Sequence, residues 1–272
     1  MATKRILVLY YSMYGHIKKQ ADMVKAGIET AGCEAIVMQV PETLPQDVLT
    51  KMGAPPKAEE YKTFTREDMD LLVAVDGIMF GIPTRFGTMP AQMKAFFDGL
   101  GGLWAQGKLN GKMASVFFST GTIGGGQETT ALTTVPVLTH LGMIFVPMGY
   151  THPEMMVNTL RGSSAYGSGM LANGDGSRQA SDLELAIAKH HGEYFAGIDT
   201  PRPHVGSNRQ APSAFQTDCS AAVRVAKCQP NMKMKLEIPC QGVQNPPFCR
   251  TCPPAPRSSL LPRLRNPMLI TA

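Results

Sequence analysis

The stretch YYSMYGHIKK, residues 10–19, closes an apolar run that starts at Ile6 and passes through Ser12, Tyr14 and Gly15 into a helical pattern. Residues 5–11 read as a strand. Residues 16–30 then place Ile17, Ala21, Val24 and Ile28 at helical spacing, with Gly32 just beyond as a stop. A strand ending in Ser and Gly before a helix leaves free backbone N–H groups at the helix N-terminus, where the dipole favours an anion. The same composition also makes an ordinary turn, so the rest of the chain has to decide between the two.

Working outward, apolar runs keep alternating with helical patterns. Residues 34–40 read as a second strand, and the Pro-containing stretch 41–57 is long enough to hold a short helix of its own. A helix over 65–75 begins with Thr65 and Asp68 spaced as a capping box. A third strand is expected over 77–82, a helix over 89–100 with Met93, Phe96 and Phe97 inward, and a fourth, fully apolar strand over 113–118. A helix over 135–141, a fifth strand over 143–147, a Gly-rich excursion over 151–179 and a last helix over 181–197 complete the pattern. Strands without polar alternation, separated by helices, imply a parallel sheet covered on both faces, an α/β fold of three layers. Five such strands predict the order 2-1-3-4-5.

Composition sets the outer limits. The chain has 272 residues, 43% hydrophobic and 17% charged, which is ordinary for a globular protein, and no run is long and apolar enough to span a membrane. Basic residues precede the first apolar stretch, but that stretch is short and lacks a small-residue cleavage site, so a cytoplasmic protein is expected. Charge is unevenly spread: residues 1–199 hold 16 Lys and Arg against 19 Asp and Glu, whereas residues 200–272 hold 10 against 2. That tail also holds 12 of the 21 Pro and Cys219, Cys228, Cys240, Cys249 and Cys252, leaving only Cys33 before it. A domain over 1–199 and a basic, Pro- and Cys-rich tail over 200–272, disordered by its composition, follow. The single CxxC, Cys249 to Cys252, has no nearby His, and His190 and His191 are adjacent on one helix and cannot share a face, so no metal site is expected.

Three loops each follow the carboxyl end of a strand. Ser12, Met13, Tyr14, Gly15, His16 and Ile17 follow the first strand. Pro83, Thr84, Arg85, Phe86 and Gly87 follow the third, and Ser119, Thr120, Gly121, Thr122, Ile123 and Gly124 lead the Gly-rich run after the fourth. In the expected order these strands are neighbours, so the loops converge on one crevice. The first offers a hydroxyl and helix-terminal amides, the second a guanidinium beside an aromatic ring, the third small residues and many N–H donors. Together they suit a phosphorylated aromatic ligand. No nucleic-acid motif is present.

The segments YYSMYGHI, GIPTRFG, GGLWAQGKLNGK, STGTIGGGQETT and GDGSRQ, in this order, resemble the WrbA family of flavodoxin-like NAD(P)H:quinone oxidoreductases. The resemblance spans residues 3 to about 198. It implies a flavodoxin-like fold, FMN as cofactor, NADH or NADPH as co-substrate, a quinone as substrate and a homotetramer. It places the FMN phosphate on residues 12–17, the isoalloxazine edge on Thr84, Arg85 and Phe86, and its other side on residues 119–124. His140 matches the family's flavin-contacting histidine, Tyr14 the position that meets the nicotinamide nucleotide, and Trp104, the sole Trp, the substrate-contacting position. Ile123 departs from the small, polar character of its loop. Read from the residues alone, His140 also fits a helix-surface histidine, Trp104 a packing residue at a subunit contact, and Arg85 a solvated cation.

Two other functions fit the same loops: a one-electron carrier that serves protein partners, and an FMN-binding regulatory protein with the basic tail as its interaction arm. Carriers are usually strongly acidic around the flavin, whereas residues 1–199 sum to only −3.

Overall fold

A computed structural model describes residues 3–198; the expected tail over 200–272 lies outside the described residues. The chain alternates β1 (Arg5–Tyr10), α1 (His16–Thr30), β2 (Glu34–Gln39), α2 (Gln46–Lys51), a 3-10 turn (Arg66–Asp68) running into α3 (Met69–Ala74), and β3 (Gly77–Pro83). It continues through α4 (Ala91–Asp98), α5 (Gly101–Ala105), β4 (Met113–Thr120), α6 (Gln127–His140), β5 (Ile144–Phe145), β6 (Gly169–Leu171) and α7 (Asp182–Gly197). The strands form one parallel sheet in the order β2-β1-β3-β4-β5, with β6 also paired to β4.

Residues of β1 alternate between two cores. Leu7 and Leu9 join Ile78, Phe80, Val116 and Phe118 under Leu72 of α3, Met93, Phe96 and Phe97 of α4 and Leu138 of α6. Ile6, Val8 and Tyr10 join Met79 and Phe117 under Ile17, Val24 and Ile28 of α1 and Phe195 of α7. Burial on both faces explains why the central strands show no polar alternation. Each fully buried large apolar side chain contributes about 1.5–3 kcal/mol through burial. Helices α1 and α7 approach closely where Gly27 faces α7 and Gly192 faces α1; a methyl group at Gly27 would lie 1.9 Å from the Lys189 carbonyl oxygen.

Three features differ from the sequence reading. The sheet has six strands rather than five, because the fifth position is shared: β5 pairs with Met113 and Ala114, and β6 with Phe118, Ser119 and Thr120. The intervening residues leave and rejoin the same edge, and a three-residue strand is too short to show a pattern. Helix α6 begins at Gln127, well before the expected residue 135. Its Thr-rich first half is a weak helix former, but the hydroxyls of Thr130, Thr133 and Thr134 donate to carbonyls four residues back at 2.7–2.8 Å. The helix expected over 89–100 forms as α4, and a further short helix, α5, follows it where none was expected. As expected, 41–57 holds a short helix, α2, and at residue 65 the Thr65 N–H and hydroxyl both donate to the Asp68 carboxylate at 2.9 Å.

Two buried polar groups lock α7 to the sheet. His191 bridges Ser115 of β4, at 2.9 Å from Nε2, and Ser168, whose N–H donates to Nδ1 at 3.2 Å. Since Nδ1 accepts, the proton sits on Nε2, and Ser115 passes its own hydroxyl proton to the Val146 carbonyl at 2.7 Å. Burial holds the His191 pKa down at about 3. Glu184, fully buried, anchors the other end of the helix.

Candidate functional site

The carboxyl ends of β1, β3, β4 and β6 deliver four loops to one cavity of about 340 Å³, within the range typical of small-ligand sites. Ser12, Met13, Tyr14, His16 and Ile17 form its first wall, Pro83, Thr84 and Arg85 the second, Ser119, Thr120 and Gly121 the third. Gly15, at φ +86°, turns the chain sharply into α1, a conformation that suits glycine. Among the described residues no backbone acceptor takes the amides of Met13, Tyr14, Gly15, His16 or Ile17. Four or more donors at one helix end, beside the Ser12 hydroxyl, make an anion cradle.

Arg85 enters on a tight hairpin. Its N–H donates to the Thr88 carbonyl at 2.7 Å and the Thr88 N–H returns to the Arg85 carbonyl at 3.0 Å, with Phe86 and Gly87 at φ +53° and +79°. Positive φ at both central positions matches hairpin twist but strains a non-glycine residue. The guanidinium donates to its neighbour Thr84's carbonyl at 2.8 Å and lies 3.9 Å from the Met13 sulfur. Among the described ion pairs none involves Arg85, so its charge is available to a ligand. Thr84 is fixed from both sides: its N–H donates to the Ser119 carbonyl at 2.9 Å and its hydroxyl, 2.8 Å from that of Thr130, donates to it, since the Thr130 proton is used on the Gly126 carbonyl.

The fourth wall, Ala172, Asn173, Gly174, Asp175 and Gly176, was not expected from the sequence. It is pinned by Arg178, whose guanidinium donates to the Leu171 carbonyl at 2.6 Å and to Glu184 at 2.8 Å. Glu184 also accepts from the amides of Gly162 at 2.9 Å, Leu171 at 3.0 Å and Ser181 at 2.8 Å. A fully buried carboxylate is tolerable only with such complete pairing. His16 closes the ring by donating from Nε2 to the Arg178 carbonyl at 3.0 Å. The motif GDGSRQ at 174–179 was the available signal, but its placement depends on β6.

The remaining expected residues lie elsewhere. Gly15, Phe86, Gly87, Thr122, Ile123 and Gly124 sit beside the cavity without lining it; Phe86 is fully exposed and Ile123 points to solvent. Trp104 and His140 come together, but in a second hollow of about 260 Å³ with Phe97, Pro136, Val137 and Leu141. Within the single chain they line a hollow separate from the cavity of the three loops. Helix α6 starts against the cavity, through Gln127 bonded to Thr120 at 2.6 Å, and His140 ends it about 20 Å further along. No group of three metal-ligating side chains is assembled among the described residues, and no described helix is long and apolar enough to cross a membrane.

The sheet order and the cleft at the switch point between β1 and β3 define a flavodoxin-like α/β protein. A family model described as NADPH-dependent FMN reductase matches residues 5–154. Quinone-oxidoreductase QR2 of Triphysaria versicolor is 54% identical over 201 residues, spanning 73% of this chain and 96% of its own. A probable NAD(P)H dehydrogenase (quinone) FQR1-like 2 of Arabidopsis thaliana is 51% identical, spanning 71% of each chain. A WrbA-like flavodoxin structure from Agrobacterium tumefaciens superposes with TM-score 0.50 at 23% identity, covering 71% of this chain and 96% of that one. The chain belongs to the NADPH-dependent FMN reductase family, and the WrbA-type resemblance of its motifs holds.

Proposed function

We propose that this protein is an FMN-dependent NAD(P)H:quinone oxidoreductase. The observation that carries the proposal is the convergence on one cavity of the amides after β1 and of Arg85, which among the described residues have no backbone acceptor and no carboxylate partner, and of the small-residue loop after β4. These residues fit the group: a methyl placed at Gly174, in the fourth wall, meets nothing within 4 Å, so that wall leaves open space where a ligand would lie. The FMN phosphate would rest on Ser12, Met13, Tyr14, Gly15, His16 and Ile17. The ring edge would meet Thr84, Arg85 and Phe86, and its other side residues 119–124. Bound FMN supplies two-electron chemistry, hydride in from NAD(P)H and both electrons out to a quinone, in a ping-pong order. The chain's own contribution is positioning and charge: helix-terminal amides neutralise the phosphate, and the Arg85 guanidinium favours added negative charge at the ring edge.

Trp104 and His140 would reach the site in an assembly. Both are exposed, as are Tyr14, Phe86 and Tyr150, and a homotetramer that lays one copy's Trp104 and His140 over another's cavity accounts for exposed aromatic groups that water disfavours. The protein would work in the cytoplasm on small quinones. Extraction and mass identification of the flavin, anaerobic titration with NADH or NADPH, and light scattering test these points together. FMN released, full two-electron bleaching and a tetramer are expected. FAD, or no flavin after reconstitution, sinks the loop assignment; one-electron reduction supports a carrier instead; a stable, fully active monomer removes Trp104 from the site.

A further inference from the structure

A second trough lies on the other side of the loop after β1, beneath the segment that follows β2. Two hollows, of about 340 and 530 Å³, share Ser12, Met13, Pro55, Pro56 and Lys57. Ser12 and Met13 also line the main cavity, so trough and cavity meet at that loop. Tyr14, in the wall of the main cavity, places its hydroxyl 3.5 Å from the Met52 carbonyl at the end of α2.

The smaller hollow gathers Lys18, Lys19 and Lys57 against a single acid, Asp22. Lys18 is already neutralised, at 2.9 Å from Asp22 and 2.7 Å from Glu60, and Lys19 donates to the Gln179 side chain. Lys57 differs. Its ammonium donates to the Val40 carbonyl at 2.9 Å and lies 5.5 Å from the centre of the Tyr11 ring, yet it pairs with no carboxylate among the described residues. Glu42 borders the larger hollow, but its oxygens are taken by Tyr11 at 2.8 Å, Gln92 at 2.6 Å and the amides of Thr43 at 2.9 Å and Leu44 at 3.1 Å. Half-buried, Lys57 has its pKa pushed down by burial, which the nearby Glu42 charge only partly offsets. A cation stripped of part of its water and left without a counter-ion is costly, and a bound anion would relieve that cost.

We infer that Lys57 holds a phosphate group of the nicotinamide dinucleotide, with the trough beside it receiving the adenosine half. This rests on the reading of the protein as an NAD(P)H-using flavoprotein. A compact ammonium serves phosphate as a point charge, the Pro55-Pro56 lip narrows the conformations of the segment carrying it, and the shared Ser12–Met13 wall lets one extended ligand occupy both spaces. The flavin phosphate has its own amides and does not need Lys57.

The test compares FMN-loaded wild type, Lys57→Gln and Lys57→Arg with three reductants: NADPH, NADH and reduced nicotinamide mononucleotide, which lacks the adenosine half. In parallel, ADP and adenosine 2′,5′-bisphosphate are titrated calorimetrically into each protein, with no turnover. Loss of one charge-assisted contact should raise the dinucleotide KM about tenfold, with kcat and FMN affinity held, and Arg should restore part of it. A rise for NADPH alone, with weaker binding of the bisphosphate only, assigns the 2′-phosphate. A rise for both dinucleotides but not the mononucleotide, with weaker ADP binding, assigns the diphosphate. Equal shifts for all three reductants, no shift at all, or a matching loss of FMN affinity overturns the inference. A wild type that holds FMN but oxidises neither coenzyme defeats the functional reading instead, and the calorimetric titrations still decide the phosphate site.

Discussion

Acidification should destabilise this fold through His191. The imidazole is fully buried between Ser115 and Ser168 and holds no proton beyond the one on Nε2, its pKa lowered from 6.5 to about 3 by burial, with a smaller contribution from His190. In the unfolded chain the same ring titrates normally. Below pH 6.5 the unfolded state therefore binds the extra proton and the folded state does not, so stability falls as pH drops from 6.5 and keeps falling towards 3. At pH 5 linkage gives RT ln(1 + 10^1.5), about 2 kcal/mol, a loss that requires only that the folded pKa lie well below 5. For a domain of this size that is about 4–8 °C in Tm. Urea unfolding of the flavin-free protein at pH 7.5 and pH 5, beside His191→Gln, measures it. Other groups, including His190 with its own depressed pKa, titrate in both proteins and cancel. The wild type should lose about 2 kcal/mol more than the variant over this interval; parallel pH dependence in the two would refute a buried neutral His191.

Glu184→Gln leaves Arg178 charged without its buried partner and should cost about 3–5 kcal/mol in urea unfolding. It should also weaken FMN binding, read by flavin fluorescence, because the wall at 172–176 loses its anchor; a cost under about 1 kcal/mol would mean that Arg178 is neutralised elsewhere. Ending the chain after Asp199 should leave FMN affinity and quinone turnover within about twofold, since the composition of 200–272, rich in Pro and poor in aromatic residues, gives little to pack. A loss of tenfold or more in either quantity would place part of the tail in the working domain.

Legibility in the sequence followed the strength of the local signal. The loops after β1, β3 and β4 were visible because long buried strands announce where they end, and eleven of their residues line the cavity as expected. The wall at 172–176 was not, because β6 is a three-residue strand that exists only through its pairing with β4. The start of α6 was hidden for a related reason: threonines that favour other conformations in isolation are held helical by their hydroxyl bonds and by burial of Thr130, Ala131 and Thr134.

What the sequence determined by itself was the parallel sheet, its order and the side of it that carries a site. Those follow from the spacing of buried residues, and that spacing is a local property that survives whatever the chain packs against. The tertiary structure alone decided which charges lack partners and which expected residues share a space. Among the described residues Arg85 and Lys57 pair with no carboxylate while Glu184 and Lys18 are paired, and Trp104 and His140 line a hollow apart from the cavity of the three loops. The physical reason is that charge pairing and line of sight depend on distances between residues far apart in the chain, such as the 162 positions separating His16 from Arg178, and no local pattern encodes them.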